Sequence, residues 1–350
     1  MRRTAFTRRL LAWYETHGRK GLPWKRARDP YHIWVSEIML QQTQVSTVIP
    51  YFERFVQRFP DVSSLADAAL DEVLHHWTGL GYYARARNLH RTAKLMMESH
   101  DGKFPDDFGV ACALPGIGPS TAGAILAFAY GVRHVVLDGN VKRVLSRYHA
   151  IAGWPGQREI EKQLWTFADR HTPSERVDDY AQAIMDLGAI VCRRANPDCG
   201  RCPVRASCAA LKNGNPSAYP TSAPRRQSPL RTVTMLMIRD QAGRVLMQRR
   251  PPVGLWGGLW GFPECTVDDL PGWCRDALGL NVEVGRAWPA MRHAFSHFRL
   301  EITPVPARAT GANGQAMEST EMLWYNLARP DERGFAAPVK QLIERLRQAT

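Results

Sequence analysis

Leu114-Pro115-Gly116-Ile117-Gly118-Pro119-Ser120 closes one helical stretch and opens another, and about twenty residues later Val135-Val136-Leu137-Asp138-Gly139-Asn140-Val141 leads an apolar run into an isolated acid. Two glycines in a tight turn let backbone N–H groups approach an anion closely, and the helix start that follows adds its positive end. Asp138 falls where a further helix begins, so the helix dipole and free N–H groups favour its ionised form. Simple N-capping, which Asp and Asn do routinely, is the plainer reading of the same spacing.

Working outward, the chain from its start to about residue 208 reads as helices joined by short polar turns. Apolar residues recur at helical spacing in Ile33–Ile49, Tyr83–Met97, Ser120–Tyr130, Val141–Tyr148 and Tyr180–Val191. Phe6, Leu10, Leu11 and Tyr14 form the buried stripe of a first helix rather than a secretory leader, because no uninterrupted apolar core precedes a small-residue cleavage site. Within Trp34-Val35-Ser36-Glu37-Ile38-Met39-Leu40-Gln41-Gln42-Thr43, Glu37 sits among apolar neighbours. A carboxyl there is costly unless it is paired or protonated, and desolvation raises its pKa. A raised-pKa acid beside an ionised carboxylate is the pairing used to cleave glycosidic bonds. A buried Glu bonded to an Arg or to backbone remains the plainer reading. Lys212 to Leu230, with Pro216, Pro220, Pro224 and Pro229, reads as an extended linker that Arg225 and Arg226 make basic. Beyond it Thr232–Arg239 and Arg244–Arg250 form a hairpin about Asp-Gln-Ala-Gly, followed by a Gly/Trp-rich loop at Gly254–Pro263, a short helix through Trp273, further strands and a terminal helix. The expected organisation is an all-α domain over 1–211 (hairpin 110–130), a linker over 212–230, and an α+β domain over 231–350.

The 350 residues suffice for two cores, and 45% hydrophobic with 23% charged residues is ordinary for a soluble globular protein. No apolar run is long enough to span a membrane, so an intracellular, cytoplasmic protein is expected. The 46 Lys+Arg against 33 Asp+Glu leave a net charge of +13, which favours a polyanionic partner without establishing one. Of the seven cysteines, Cys192, Cys199, Cys202 and Cys208 crowd into one loop as C-x6-C-x2-C-x5-C, while Cys112, Cys265 and Cys274 are scattered. Four thiolates so close need a multivalent cation. An iron–sulfur cluster is held in this way, and a closed zinc site is the alternative, although only one Cys-x2-Cys knuckle is present. Arg193, Arg194, Arg201 and Arg205 make the loop a candidate phosphate contact, or else offset the charge of the metal group.

Ser36–Thr43, Leu114–Gly118, Val136–Asn140 and the cysteine loop together resemble the endonuclease III superfamily of helix–hairpin–helix DNA glycosylases. More narrowly, Leu40–Val45, Gly79-Leu80-Gly81-Tyr82-Tyr83 and the carboxy-terminal region resemble MutY-type adenine DNA glycosylases, with the motifs in order along essentially the whole chain. The resemblance implies base excision repair of adenine mispaired with 8-oxoguanine or guanine in double-stranded DNA, by flipping the base, with one 4Fe–4S cluster at the four cysteines; nothing in the sequence points to an oligomer, and a monomer is expected. It implies that Glu37 protonates the flipped adenine and then helps activate water. Asp138 would stabilise the oxocarbenium-like sugar or bond to it transiently, and Asn140 would help position these groups. Trp24, Leu40, Val45, Gln182 and Met185 would line the adenine pocket. Gln42 and Tyr82 would enter the base stack with Leu80 nearby, and Gly116 and Gly118 would clamp the backbone. Ser120, on the pocket side, stands where bifunctional relatives carry a lysine nucleophile, so strand cleavage should be absent or weak. Lys142, one turn past Asp138, would lie near DNA and could trap the abasic sugar.

The carboxy-terminal half resembles a Nudix-type domain through Gly257-Gly258-Leu259-Trp260-Gly261-Phe262-Pro263-Glu264. Cys265–Leu280 offers Asp268, Asp269 and Asp276 without the Arg-Glu-x2-Glu-Glu array that holds magnesium, so pyrophosphatase activity is not expected. In the family this domain reads 8-oxoguanine, and Phe295, Ser296 and His297 would supply a wedge and hydrogen-bonding groups. An ordinary alternating strand is the plainer reading of the same segment.

Overall fold

The computed structural model describes residues 4–224, 228–295, 297–310 and 320–348. They form two compact units: Met1–Asp67 with Asn88–Arg225, and Ala68–Arg87 with Arg226–Thr350.

The first unit is helical. Asp29 caps helix Pro30–Leu40 through the Tyr31 N–H (3.0 Å), and proline takes the first helical position, where no donor is wasted. Ile33, Trp34, Val35, Ser36, Ile38 and Met39 are all buried, so this helix runs through the core. The single helix expected over Ile33–Ile49 is in fact two, Pro30–Leu40 and Val45–Arg58. The Thr43 N–H turns back to Leu40 O (3.2 Å) and Gln42 adopts a left-handed φ of 58°, which ends the helix and exposes Gln42. The hairpin joins Phe108–Ala113 to Pro119–Tyr130, and Asp138 caps the next helix, Gly139–Tyr148. Helix Val177–Asp186 continues into a widened π turn, Leu187–Val191. That turn presses on the start of Gly139–Tyr148 so closely that a Cβ at Gly188 would stand 2.6 Å from Asn140 Cβ. The early part of the segment expected as an extended linker is docked: Arg147 Nε donates to Tyr219 O (2.9 Å) and the Thr221 N–H to Gly153 O (3.1 Å). Arg225 and Arg226 lie outside the described residues. No helix among those described is long and apolar enough to cross a membrane.

Among the described residues the second unit carries a mixed sheet of eight strands: β1 (Leu230–Arg239), β2 (Val245–Arg249), β3 (Trp260–Gly261), β4 (Glu264–Cys265), β5 (Asn281–Val284), β6 (Met291–Ala294), β7 (Arg299–Thr310) and β8 (Met322–Tyr325). Its main path runs β3-β2-β1-β7-β5, with β4 on β1, β6 on β7 and β8 on β2. β1 and β7 are parallel in register from Leu230↔Arg299 to Arg239↔Arg308, while β1 and β2 make the hairpin read from the sequence. One core gathers Leu236, Ile238, Leu246, Val305 and Trp324 with Cys274 and Leu278 of helix Leu270–Leu278. Ala68–Arg87 belongs here although the sequence division would leave it in the helical domain. Asp71 accepts from Trp260 Nε1 (3.3 Å) and faces Arg249 (3.4 Å) and Arg333 (3.7 Å). Tyr83 Oη donates to Phe335 O (3.1 Å) and Arg87 to Gly257 O (2.6 Å).

Candidate active site and cysteine loop

Glu37 projects from the buried helix Pro30–Leu40. Part of its surface stays open to solvent, yet protein surrounds it closely enough that desolvation raises its pKa to about 7. The charge of Asp138 pushes in the same direction, and Lys25 opposes both. Two acids drawn from segments a hundred residues apart therefore share one electrostatic site. Asp138 caps its helix through the Val141 N–H (2.8 Å) and also accepts from Asn140 Nδ2 (3.1 Å). Both bonds favour the carboxylate, as the helix start was expected to do, but burial outweighs them and the net direction is upward. The correction is physical: a cap deep in the protein pays desolvation that an exposed cap does not.

Asn140 is itself held. Its Oδ1 accepts from Arg143 Nη2 (2.8 Å), and the same guanidinium donates to Gly188 O (2.6 Å) and Cys192 O (2.7 Å). Arg143 thus ties the Asp138–Asn140 pair to the start of the cysteine loop. Sequence reading passed it over; the available signal was its place one turn beyond Asn140 on the same helix face. Lys25 was passed over as well. Its pKa is lowered to about 8, mainly by burial, against the opposing charges of Asp186 and Glu37, and it lies over the Phe128 ring (4.8 Å).

Among the residues expected to line a pocket, Trp24 is buried with its edge against Phe52 (5.4 Å), and Leu40, Val45 and Met185 are half-buried. Gln182 is buried, with its Nε2 donating to Asp186 Oδ1 (2.7 Å). Ser120 Oγ accepts from the Leu137 N–H (2.9 Å), fastening the segment that delivers Asp138. Lys142 Nζ pairs with Glu161 (2.6 Å).

At the hairpin Gly116 has a φ of 79° and packs on Asn88, while Gly118 is exposed and faces open space. Thr92 Oγ1 donates to Pro115 O (3.1 Å) and anchors the turn. In the second unit, Tyr82 is exposed with a φ of 50° and rests over Arg85 (5.4 Å), whose guanidinium donates to Leu80 O and Gly81 O (3.2 and 3.1 Å). Leu80 is buried, an anchor of this loop rather than its exposed tip. Phe295 stands at the turn between β6 and β7, where its N–H donates to Phe298 O (2.9 Å), so the segment is not one continuous strand. Its ring stacks on Phe298 (4.6 Å) within a cluster that includes Trp256 and His293; His297 is exposed and Ser296 lies outside the described residues. On helix Leu270–Leu278, Asp269 is spent as the N-cap through the Gly272 N–H (3.0 Å).

Cys192, Cys199, Cys202 and Cys208 line one cavity with Arg147, Val191, Pro197 and Leu211. Burial pushes the Cys202 thiol up to about 12, and the other three cysteines raise it further as they charge. Arg147 Nη1 donates to Cys192 Sγ (3.3 Å) and, together with Nη2, holds the carbonyls of Arg193 and Arg194. Four thiols on one cavity can bind a multivalent metal group once they lose their protons.

Comparison with known proteins adds independent findings. The HhH-GPD superfamily base excision DNA repair protein model matches residues 35–170, and the NUDIX domain model matches residues 234–345. An adenine DNA glycosylase of Buchnera aphidicola (subsp. Acyrthosiphon pisum) is 35% identical over 349 residues, covering 99% of each chain. The human adenine DNA glycosylase is 34% identical, covering 85% of this chain and 66% of the relative. Among solved structures, a thermostable thymine-DNA glycosylase aligns at a TM-score of 0.54 with 26% identity, over 59% of this chain and 95% of that one. A non-covalent endonuclease III–DNA complex aligns at 0.52 with 19% identity, over 59% and 94%, a likeness of fold.

Proposed function

This chain belongs to the adenine DNA glycosylase family, and from that membership we propose that it releases adenine opposite 8-oxoguanine or guanine from duplex DNA and leaves the strand intact. The observation that carries this reading is Glu37, a carboxyl with a pKa near 7 in the field of Asp138. An acid so placed holds a proton at neutral pH and can deliver it to a ring nitrogen of a flipped adenine, which turns the base into a neutral leaving group. Flipping is required because the stacked duplex shields the glycosidic bond. As that bond lengthens, positive charge grows on the sugar, and the Asp138 carboxylate stabilises it or bonds to C1′ transiently. Glu37, having lost its proton, then accepts one from the attacking water. Asn140 and Arg143 keep Asp138 aimed throughout.

Strand cleavage needs an amine that forms an imine with the opened sugar. Ser120 supplies none, and Lys142 is engaged by Glu161. The four cysteines would hold a 4Fe–4S cluster, which when bound would pin the loop that carries Arg193, Arg194, Arg201 and Arg205 as phosphate contacts. Phe295, Ser296 and His297 are the proposed contacts with 8-oxoguanine, and Gln42 and Tyr82 the side chains that enter the stack.

Single-turnover incubation with duplexes containing adenine opposite 8-oxoguanine, resolved with and without alkali, tests the reading. Breaks only after alkali are expected. Breaks without alkali would mean lyase chemistry, and tight binding without breaks would mean recognition without catalysis.

A further inference from the structure

Asp186 is fully buried, and its carboxylate accepts from three donors: the Arg19 N–H (2.8 Å), the Arg19 guanidinium (2.8 Å) and Gln182 Nε2 (2.7 Å). A carboxylate bonded in this way has only acceptors to offer. The Gln182 amide therefore has one permitted orientation, nitrogen towards Asp186, whichever way round its two ends are assigned. The amide is planar, so Oε1 is turned to the other side, and among the described residues no donor meets it. Burying a charge here carries a desolvation cost that an apolar pair of similar shape would not. Fixing an amide orientation is something an apolar pair could not do. Lys25 lies in the field of both Asp186 and Glu37, so this relay borders the acid site.

We propose that Asp186, braced by Arg19, is a positioning residue that locks the Gln182 amide with its carbonyl oxygen towards the flipped base, and so selects a purine bearing a 6-amino donor over one bearing a 6-oxo acceptor. The proposal rests on the reading of Gln182 as a base contact. Adenine donates from its 6-amino group, whereas hypoxanthine, of nearly the same shape, presents an oxygen there. A locked Oε1 bonds the first and repels the second. An amide free to turn would meet both, which is why the lock, rather than Gln182 alone, sets the discrimination.

The test compares single-turnover release of adenine and of hypoxanthine opposite 8-oxoguanine, with thermal unfolding run alongside. Gln182 and the Arg19 guanidinium share Asp186 Oδ1, so the variant that frees the amide is Asp186→Leu: the amide loses its acceptor and can turn, and the adenine-to-hypoxanthine rate ratio falls at least about tenfold. Gln182→Glu added to Asp186→Leu keeps the net charge and again offers an oxygen to the base, so the ratio returns towards wild type. This double variant also carries the test if the single one fails to fold. Equal slowing of both bases in a folded Asp186→Leu, or no recovery in a folded double variant, overturns the positioning role. A full ratio in Gln182→Ala removes Gln182 as a base contact and the proposal with it. A wild-type protein that releases neither base would instead overturn the glycosylase reading itself.

Discussion

Glu37, the proposed proton donor, also bears on the stability of the fold. In the unfolded chain its carboxyl titrates near 4.5, and in the fold near 7. Between those values the folded state holds more protons than the unfolded one, so stability falls as pH rises through the window. The contribution is whole below about 4.5 and gone above about 7. Glu37→Gln, always neutral, should therefore be more stable than wild type at pH 8, by on the order of 3 kcal/mol, and no more stable at pH 4. Urea unfolding at the two pH values checks this; a variant equal to or weaker than wild type at pH 8 would show that the buried carboxyl is not strained. Base release should move in the opposite sense, nearly abolished by the same change. Glu37 and Asp138 were legible in the sequence because an acid in an apolar helix and an Asp before Gly-Asn are local signals. Arg143 and Asp186 were not. The partners of Arg143 at Gly188 and Cys192 lie 45 and 49 residues away, and Arg19 stands 167 residues from Asp186. Only the fold brings such groups together, and on paper each passes for surface charge.

At the scale of the element, the two hairpin glycines serve different ends. Gly116 needs its left-handed φ of 79°, and a Cβ there would press on Asn88 at 3.0 Å. Gly118, at a φ of −92°, has ordinary backbone and open space. Gly116→Ala should therefore destabilise the protein by about 1–2 kcal/mol. Gly118→Ala should leave the melting temperature within a degree or so of wild type, yet weaken binding to any duplex by a similar factor whatever its sequence, because the added methyl would hold a phosphate off the turn. Melting curves and duplex titrations at several salt concentrations separate the two. Unchanged affinity in Gly118→Ala would mean that the turn is not a backbone clamp. The hairpin could be read from sequence because glycine and proline punctuate it. The break between Leu40 and Val45 could not, since Ile38, Met39, Val45, Val48 and Ile49 continue the helical period straight across it. Polar side chains end that helix, Gln41 reaching out to Gly116 O (3.4 Å) and to Thr121.

For the whole molecule, the change from helical to strand periodicity near residue 230 made the two architectures legible, but not the exchange of Ala68–Arg87. Helix Leu70–Trp77 buries Val73, Leu74 and Trp77, a stripe indistinguishable by period from those of the first unit. Its assignment depends on non-local complementarity: Asp71 against Trp260, Arg249 and Arg333, and Leu74 so close to Gly334 that a Cβ there would stand 2.7 Å away. The loop carrying the exposed Tyr82 is thereby built on the unit that also presents Phe295 and His297. If this packing has energetic weight, the carboxy-terminal part should recognise the segment as a separate chain. A synthetic Ala68–Arg87 peptide added to Arg226–Thr350 should raise its melting temperature, since a ligand at 100 times its Kd adds about 2.7 kcal/mol. For a domain of this size that is a shift of roughly 10 °C. Asp71→Ala in the peptide leaves the Trp260 donor and two guanidiniums without their shared acceptor, and should weaken binding about tenfold or more. Differential scanning fluorimetry across a peptide titration measures both. No shift at millimolar peptide would reduce the exchange to geometry, and an equal shift with Asp71→Ala would assign the energy to Leu74 and Trp77 rather than to Asp71. The expected order is wild-type peptide well above the Asp71→Ala peptide, because an apolar stripe alone fits many surfaces and the shared carboxylate fits this one.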